Sequence, residues 1–184
     1  MSGSVETAGA WLPRLPVRTE RLLLRAHRRE DLDDLVVFHS DPAVTRFIPG
    51  PVRTREQTAE ALELKLTRAV AATEGDWLVL AVEDLATGRV IGEVLLKRTN
   101  DAERIGEVGY AFATAAQGRG FASEAVRSIL QLGFTTFGLQ TIVARVETGN
   151  DASSRLLDRL GFELDPKPEV EESGVELLVY RRAR

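Results

Sequence analysis

The stretch Gln117-Gly118-Arg119-Gly120-Phe121-Ala122-Ser123 constrains this chain more than any other. It joins an alternating, strand-like run, Arg104 to Phe112, to a run in which Ala122, Ala125, Val126, Ile129 and Leu132 recur at helical spacing. Beyond that helix, which ends by Gly138, Thr141 to Glu147 alternates again as a strand. If the two flanking strands are neighbours they must run parallel, because the helix between them makes a crossover. The loop is also an anion site in outline. The first turn of a helix carries N–H groups without partners at the positive end of the aligned peptide dipoles. Glycines let the backbone approach phosphate oxygens, and Arg119 adds charge at the rim. The segment reads as a cradle for a nucleotide diphosphate.

The remaining pattern is mixed α and β, in one domain over residues 17–184 after a loose tail over residues 1–16. Leu22-Leu23-Leu24 is a short strand, and Glu30 to Ser40 places Leu32, Leu35, Val36 and His39 at helical spacing until Asp41-Pro42 stops it. Thr54-x-x-Gln57 has the form of a capping box, followed by one helical face through Ala59, Leu62, Leu66, Ala69 and Val70 that ends near Gly75. Trp77 to Glu83, Arg89 to Arg98 and Arg104 to Phe112 form a β-meander, antiparallel because the links are short. Asn150 to Leu160 is a short helix stopped at Gly161-Phe162, and Val175 to Arg181 is the last strand after loops at Asp165 to Pro168 and Glu171 to Gly174.

Composition narrows the function classes. A net charge of −4 argues against a nucleic-acid binder, which carries a basic stripe, and is compatible with a cationic substrate such as an amine. Without cysteine there is no disulfide, thiolate metal site or cysteine nucleophile, and His27 and His39 are too few and too far from the glycine loop for a zinc centre. Met1 to Ala10 lacks an apolar leader and no apolar run reaches membrane-spanning length, so a cytoplasmic protein without a membrane partner is expected.

Gly118-x-Gly120-x-x-Ser123 nearly spells a dinucleotide fingerprint, but that fingerprint follows the first strand of a parallel βαβ unit. Here a meander and two helices precede it. Gln117-x-x-Gly120-x-Ala122 instead has the form of the acetyl-coenzyme A signature of the GNAT superfamily of N-acetyltransferases. Thr19-x-Arg21-Leu22-x-Leu24-Arg25, Glu30-Asp31, Glu107-x-Gly109-Tyr110, Asn150-x-x-Ser153 and Leu160-Gly161-Phe162 follow the same order as in the branch that acetylates ribosomal-protein N-termini, the RimJ/RimL type. The chain resembles that branch from about Leu15 to Tyr180.

The resemblance implies an α/β fold with a mixed, mostly antiparallel sheet, splayed between the strand ending at Phe112 and the strand Thr141 to Glu147. The pantetheine arm of acetyl-coenzyme A then lies in the splay like an added strand. Phe112, Gln117, Gly118, Arg119, Gly120, Phe121, Ala122, Ser123 and Asn150 are the implied coenzyme contacts, with no metal. The implied partner is an amine acceptor, a protein N-terminus or a small molecule, bound by a monomer or homodimer. A coenzyme-binding sensor domain without transferase activity is the rival class. Residues Pro42 to Arg55 are the acceptor-side loop by analogy.

Acetyl transfer from a thioester needs a neutral amine, a donor for the oxyanion and stabilisation of the departing thiolate. At pH 7 a peptide α-amine is neutral in roughly one molecule in six and a lysine in about one in 2,500, so a carboxylate near the amine is useful. Glu107 is the first candidate, because it shares a strand face with Ile105, Gly109 and Ala111. If the hairpin turns about Asp101, Leu95 lies opposite Glu107 and Glu93 is a diagonal neighbour on the same face. Tyr110 points the other way, to packing or the coenzyme wall.

Asn150 fits an N-cap, and the resemblance adds a hydrogen bond to the pantetheine arm. Many relatives carry a tyrosine seven residues after this asparagine to protonate the thiolate, but here that place is Leu157. In the resembled branch the serine at the Ser153 position is the substitute. Ser153 shares an inward face with Leu156, Leu157 and Leu160, where a hydroxyl wants a partner. Of the remaining residues, His39 reads as a satisfied buried histidine, Tyr180 as core, and Arg25, His27, Arg28 and Arg29 as a solvated basic edge.

Overall fold

The computed structural model describes residues 9–171 and 173–184. Its sheet has nine strands: β1 (Val17–Arg18), β2 (Leu22–Arg25), β3 (Trp77–Asp84), β4 (Val90–Asn100), β5 (Ile105–Phe112), β6 (Thr141–Glu147), β7 (Glu163–Leu164), β8 (Glu169–Val170) and β9 (Glu176–Ala183). Their order is β1-β2-β3-β4-β5-β6-β9-β7, with β8 also on β9. The helices are α1 (Leu32–His39), α2 (Pro42–Thr45), α3 (Arg55–Lys65), α4 (Phe121–Gln131) and α5 (Asp151–Arg159). The near-continuous apolar run of β3 is buried because the sheet is covered on both sides. On one side Leu80, Val94, Val108, Phe121, Ile129 and Leu157 belong to a large core, and on the other Leu35, Phe38, Leu62 and Ala81 form a smaller one.

The expected meander is present, with β2 to β5 antiparallel. The crossover makes β5 and β6 parallel, but they pair only from Ile105 to Glu107 against Thr141 to Val143. Past that point β5 pairs with β4 and β6 with β9 alone, so the two strands part.

Several local expectations change. The helix opened by the Thr54–Gln57 capping box ends at Lys65 and not near Gly75, because the chain there turns so that Ala71 can pair with Trp11. Pro42 starts α2 as well as stopping α1, with Asp41 accepting the Ala43 N–H at 2.8 Å. Of the expected tail, residues 1–8 lie outside the described residues, as does Glu172 in the late loop. Within residues 9–16 it is Trp11 that packs: it is 4% exposed, and its ring stacks on Phe137 at 4.7 Å. So large an apolar side chain holds its segment down.

The first half of the basic run is the larger correction: Arg28 and Arg29 are exposed as expected, but Arg25 and His27 are each 5% exposed. Arg25 makes a two-pronged ion pair with Asp31 at 2.7 and 2.9 Å and reaches Glu83 at 2.6 Å. His27 Nε2 lies 3.2 Å from Oε1 of Glu93, while His39 Nε2 lies 3.1 Å from Oε2. The ammonium of Lys65 closes the cluster on Glu93. Burial pushes the Glu93 carboxyl up, but Lys65 and the two imidazoles outweigh it and hold the group well below the usual carboxylate range. One carboxylate on β4 therefore ties together α1, α3 and the segment before α1.

Glu93→Gln leaves Lys65 buried without its counter-charge and is expected to cost about 3–5 kcal/mol in denaturant unfolding. The double variant Glu93→Leu/Lys65→Met should recover most of that loss. Because the folded carboxyl is depressed, its contribution holds above the ordinary carboxylate pKa and fades as pH falls through the folded value. An unfolding curve of Glu93→Gln that matches wild type at pH 7 sinks this account.

Candidate active site

The cradle is built as the glycines require. Gly118 and Gly120 have φ of 71° and 82°, a left-handed backbone that strains other residues. Gly120 caps α4, and the first helical bond is from the Glu124 N–H to the Gly120 carbonyl at 3.1 Å. By helix geometry the N–H groups of Phe121, Ala122 and Ser123 have no intrahelical acceptor. Gln117 donates its side-chain amide to the Phe112 carbonyl at 3.1 Å, fastening the loop to the end of β5.

A brace that sequence reasoning missed holds the loop from the far end of the chain. Glu124 accepts the Thr19 hydroxyl at 2.6 Å, the Arg21 N–H at 2.9 Å and Arg21 Nε at 2.8 Å. Burial raises the Glu124 carboxyl, but Thr19 and Arg21 outweigh it and bring it below its ordinary value. Arg21 also donates to the Arg119 carbonyl at 3.0 Å, and both guanidiniums lie over the Phe121 ring, at 4.6 and 4.8 Å from its centre. The Phe121 ring is buried behind the loop. The signal was there in Thr19-x-Arg21, more than ninety residues away.

Where β5 and β6 part, a cleft of about 630 Å³ opens. Phe112, Gln117, Gly118, Gly120, Ala122, Ser123 and Asn150, all expected coenzyme contacts, line it. Tyr110 and Ser153 line it too, with their hydroxyls 2.6 Å apart. The partner that an inward Ser153 requires is thus Tyr110, whose placement opposite Glu107 already put it on the α5 side. Burial pushes the Tyr110 phenol up to about 12, against a smaller lowering by Ser153. Asn150 Oδ1 accepts the Ser153 N–H at 3.2 Å, so its oxygen caps α5 and its amide is left for other acceptors. Ala43, Val44, Phe47 and Ile48, within the expected acceptor-side loop, form the opposite wall.

The two carboxylates expected near the amine are not together. The hairpin turns over residues 101–104 rather than about Asp101, so Lys97, not Leu95, lies opposite Glu107, and Glu93 lies opposite Ala111. Glu93 is therefore four positions up the ladder from Glu107, no diagonal neighbour, and is sealed in the cluster already described. Glu107 sits at the last parallel pair with β6, where its carboxylate bonds Arg145 at 2.7 Å; Arg145 is also bridged to Glu169 at 2.7 Å. Neither glutamate lines the cleft.

A family model described as an acetyltransferase (GNAT) domain matches residues 21–163. Among curated relatives, the uncharacterized N-acetyltransferase p20 of Bacillus licheniformis is 32% identical over 146 residues, 79% of this chain and 80% of its own. Among solved structures, a GNAT-family acetyltransferase from Bacillus anthracis superposes with a TM-score of 0.81 at 22% identity, covering 92% of this chain and 98% of the other. A Vibrio cholerae protein provisionally described as a ribosomal-protein-serine acetyltransferase gives 0.76 at 17% identity, with 94% and 99% covered. A match over most of the chain, together with a relative of that identity, settles the family: this chain belongs to the GNAT acetyltransferases.

Proposed function

We propose that the protein moves acetyl from acetyl-coenzyme A directly to a primary amine, a peptide N-terminus or a small molecule, across the gap between β5 and β6. The observation that carries this reading is the Tyr110–Ser153 pair, set in the same cleft as the glycine cradle. The coenzyme diphosphate meets the N-terminus of α4, and the pantetheine arm runs along β5 past the Asn150 amide. The amine nitrogen attacks the thioester carbonyl. A C–N bond forms, the C–S bond breaks, the sulfur leaves as thiolate and the nitrogen gives up one proton.

Magnitudes decide what the hydroxyl pair does. A thiol titrates near 8.5, so moving a proton from a phenol at about 12 to a thiolate is uphill by roughly 5 kcal/mol. Ser153 and Tyr110 therefore stabilise the thiolate by hydrogen bonding, while the proton balance is met by the amine. Glu107 is the carboxylate assigned to that proton, reached through water on the acceptor face of β5.

Calorimetry with acetyl-coenzyme A, followed by thiol release on an amine panel, tests the whole. Ser153→Ala should lower kcat about 10- to 100-fold, the worth of a hydrogen bond to a charged group, with coenzyme affinity little changed. Wild-type kcat/KM should rise with pH toward the acceptor's pKa and show no loss before pH ~10, since Tyr110 keeps its proton. An alkaline fall at lower pH that Tyr110→Phe removes counts against the protonated phenol. Arg21→Met should weaken coenzyme binding roughly 3- to 10-fold by loosening the loop, and adding Glu124→Gln should cost little more, because both act through one brace.

A further inference from the structure

Resting on the acetyltransfer reading, we infer that the acceptor is an amine attached to an apolar group and bearing no second positive charge. The acceptor wall is Val44, Phe47 and Ile48, with Ala111 below them on β5. No carboxylate belongs to the lining among the described residues; its charged members are Arg155 and Arg159 on α5. A polyamine or amino sugar brings several ammonium groups, each of which loses water on entry and needs a partner to replace it. Three carboxylates around this wall are already engaged. Glu93, opposite Ala111 on the ladder, is 3% exposed and tied to Lys65, while Glu107 is bonded to Arg145. Asp41 accepts the Ala43 N–H and, at 2.6 Å, the Thr114 hydroxyl. One ammonium can shed its proton and react; the others would face methyl groups and guanidiniums. An apolar substituent instead gains by covering Phe47 and Ile48.

The test is a competition among peptides beginning with Met, Leu or Phe, the matching free amino-acid amides, spermidine and kanamycin. The apolar monoamines should exceed both polycations in kcat/KM by about tenfold or more, the range of one good pocket contact. The peptide and amide arms tell a chain terminus from a free amine. Phe47→Ala should lower kcat/KM for the apolar acceptors several-fold, and Phe47→Glu should narrow the gap to spermidine, each with coenzyme affinity unchanged. A polycation as the best acceptor, or variants that leave the ranking unmoved, overturns the inference. Coenzyme binding without turnover of any apolar amine overturns it too, while the coenzyme site stands; absence of coenzyme binding removes the underlying reading first.

Discussion

Three parallel residue pairs between β5 and β6 are the constraint from which the site follows. Strands that part leave backbone N–H and C=O groups facing the gap, and such groups need partners. Along Val108 to Phe112 one side of the backbone is taken by β4, and the other faces β6 without pairing to it. A ligand with alternating amide donors and acceptors, as in a pantetheine arm, answers that edge as a strand would. The same parting lets residues from both faces of the sheet share one cleft. Tyr110 reaches it from the α5 side, and Ala111 opens it on the α1 and α3 side.

The acidic side chains around this gap serve structure before chemistry. Glu93 is the clearest case, since it anchors His39 at the end of α1 and Lys65 at the end of α3. Those two residues bracket the segment that carries Val44, Phe47 and Ile48, and the Arg53 N–H bonds the His39 carbonyl at 3.1 Å to close it. An acceptor wall built from a four-residue helix and a proline-bounded loop has little stability of its own. A charged hub beneath it, with two imidazoles and an ammonium on one carboxylate, holds it in place.

What the sequence made legible was whatever rests on local periodicity or on a motif with its own mechanics. The meander, the crossover helix, the Thr54 cap and the left-handed glycines all belong there. So do the inward Ser153 and the opposite facing of Tyr110 and Glu107. Anything set by pairing at a distance was hidden. The hairpin turns over residues 101–104 rather than about Asp101, which moves the β4–β5 register by two residues, keeping every face but separating Glu93 from Glu107. Arg25 and His27 looked like a solvated edge because, beside the nearby Asp31, their partners Glu83 and Glu93 lie on strands more than fifty residues away. Trp11 looked like part of a tail for the same reason: its partner is Ala71.

The brace at Glu124 shows how two remote motifs act as one. A loop that is to offer backbone N–H groups to an anion, as in the proposed function, cannot spend them on its own folding, so its shape has to be set from outside. Gln117 fixes its entrance through the Phe112 carbonyl, and Arg21 fixes its crest through the Arg119 carbonyl. Glu124, one turn into α4, holds Arg21 in turn, with Thr19 filling a further lone pair. A carboxylate in the first turn also suits the positive helix end, yet here its charge is matched by Arg21 rather than left to compete with an incoming phosphate. The Phe121 ring between two guanidiniums sets both arginines at the rim, where their charge favours an anion without occupying the N–H groups that would bind it. The N-terminal hairpin is thereby part of the support of the glycine loop, although none of its residues lines the cleft.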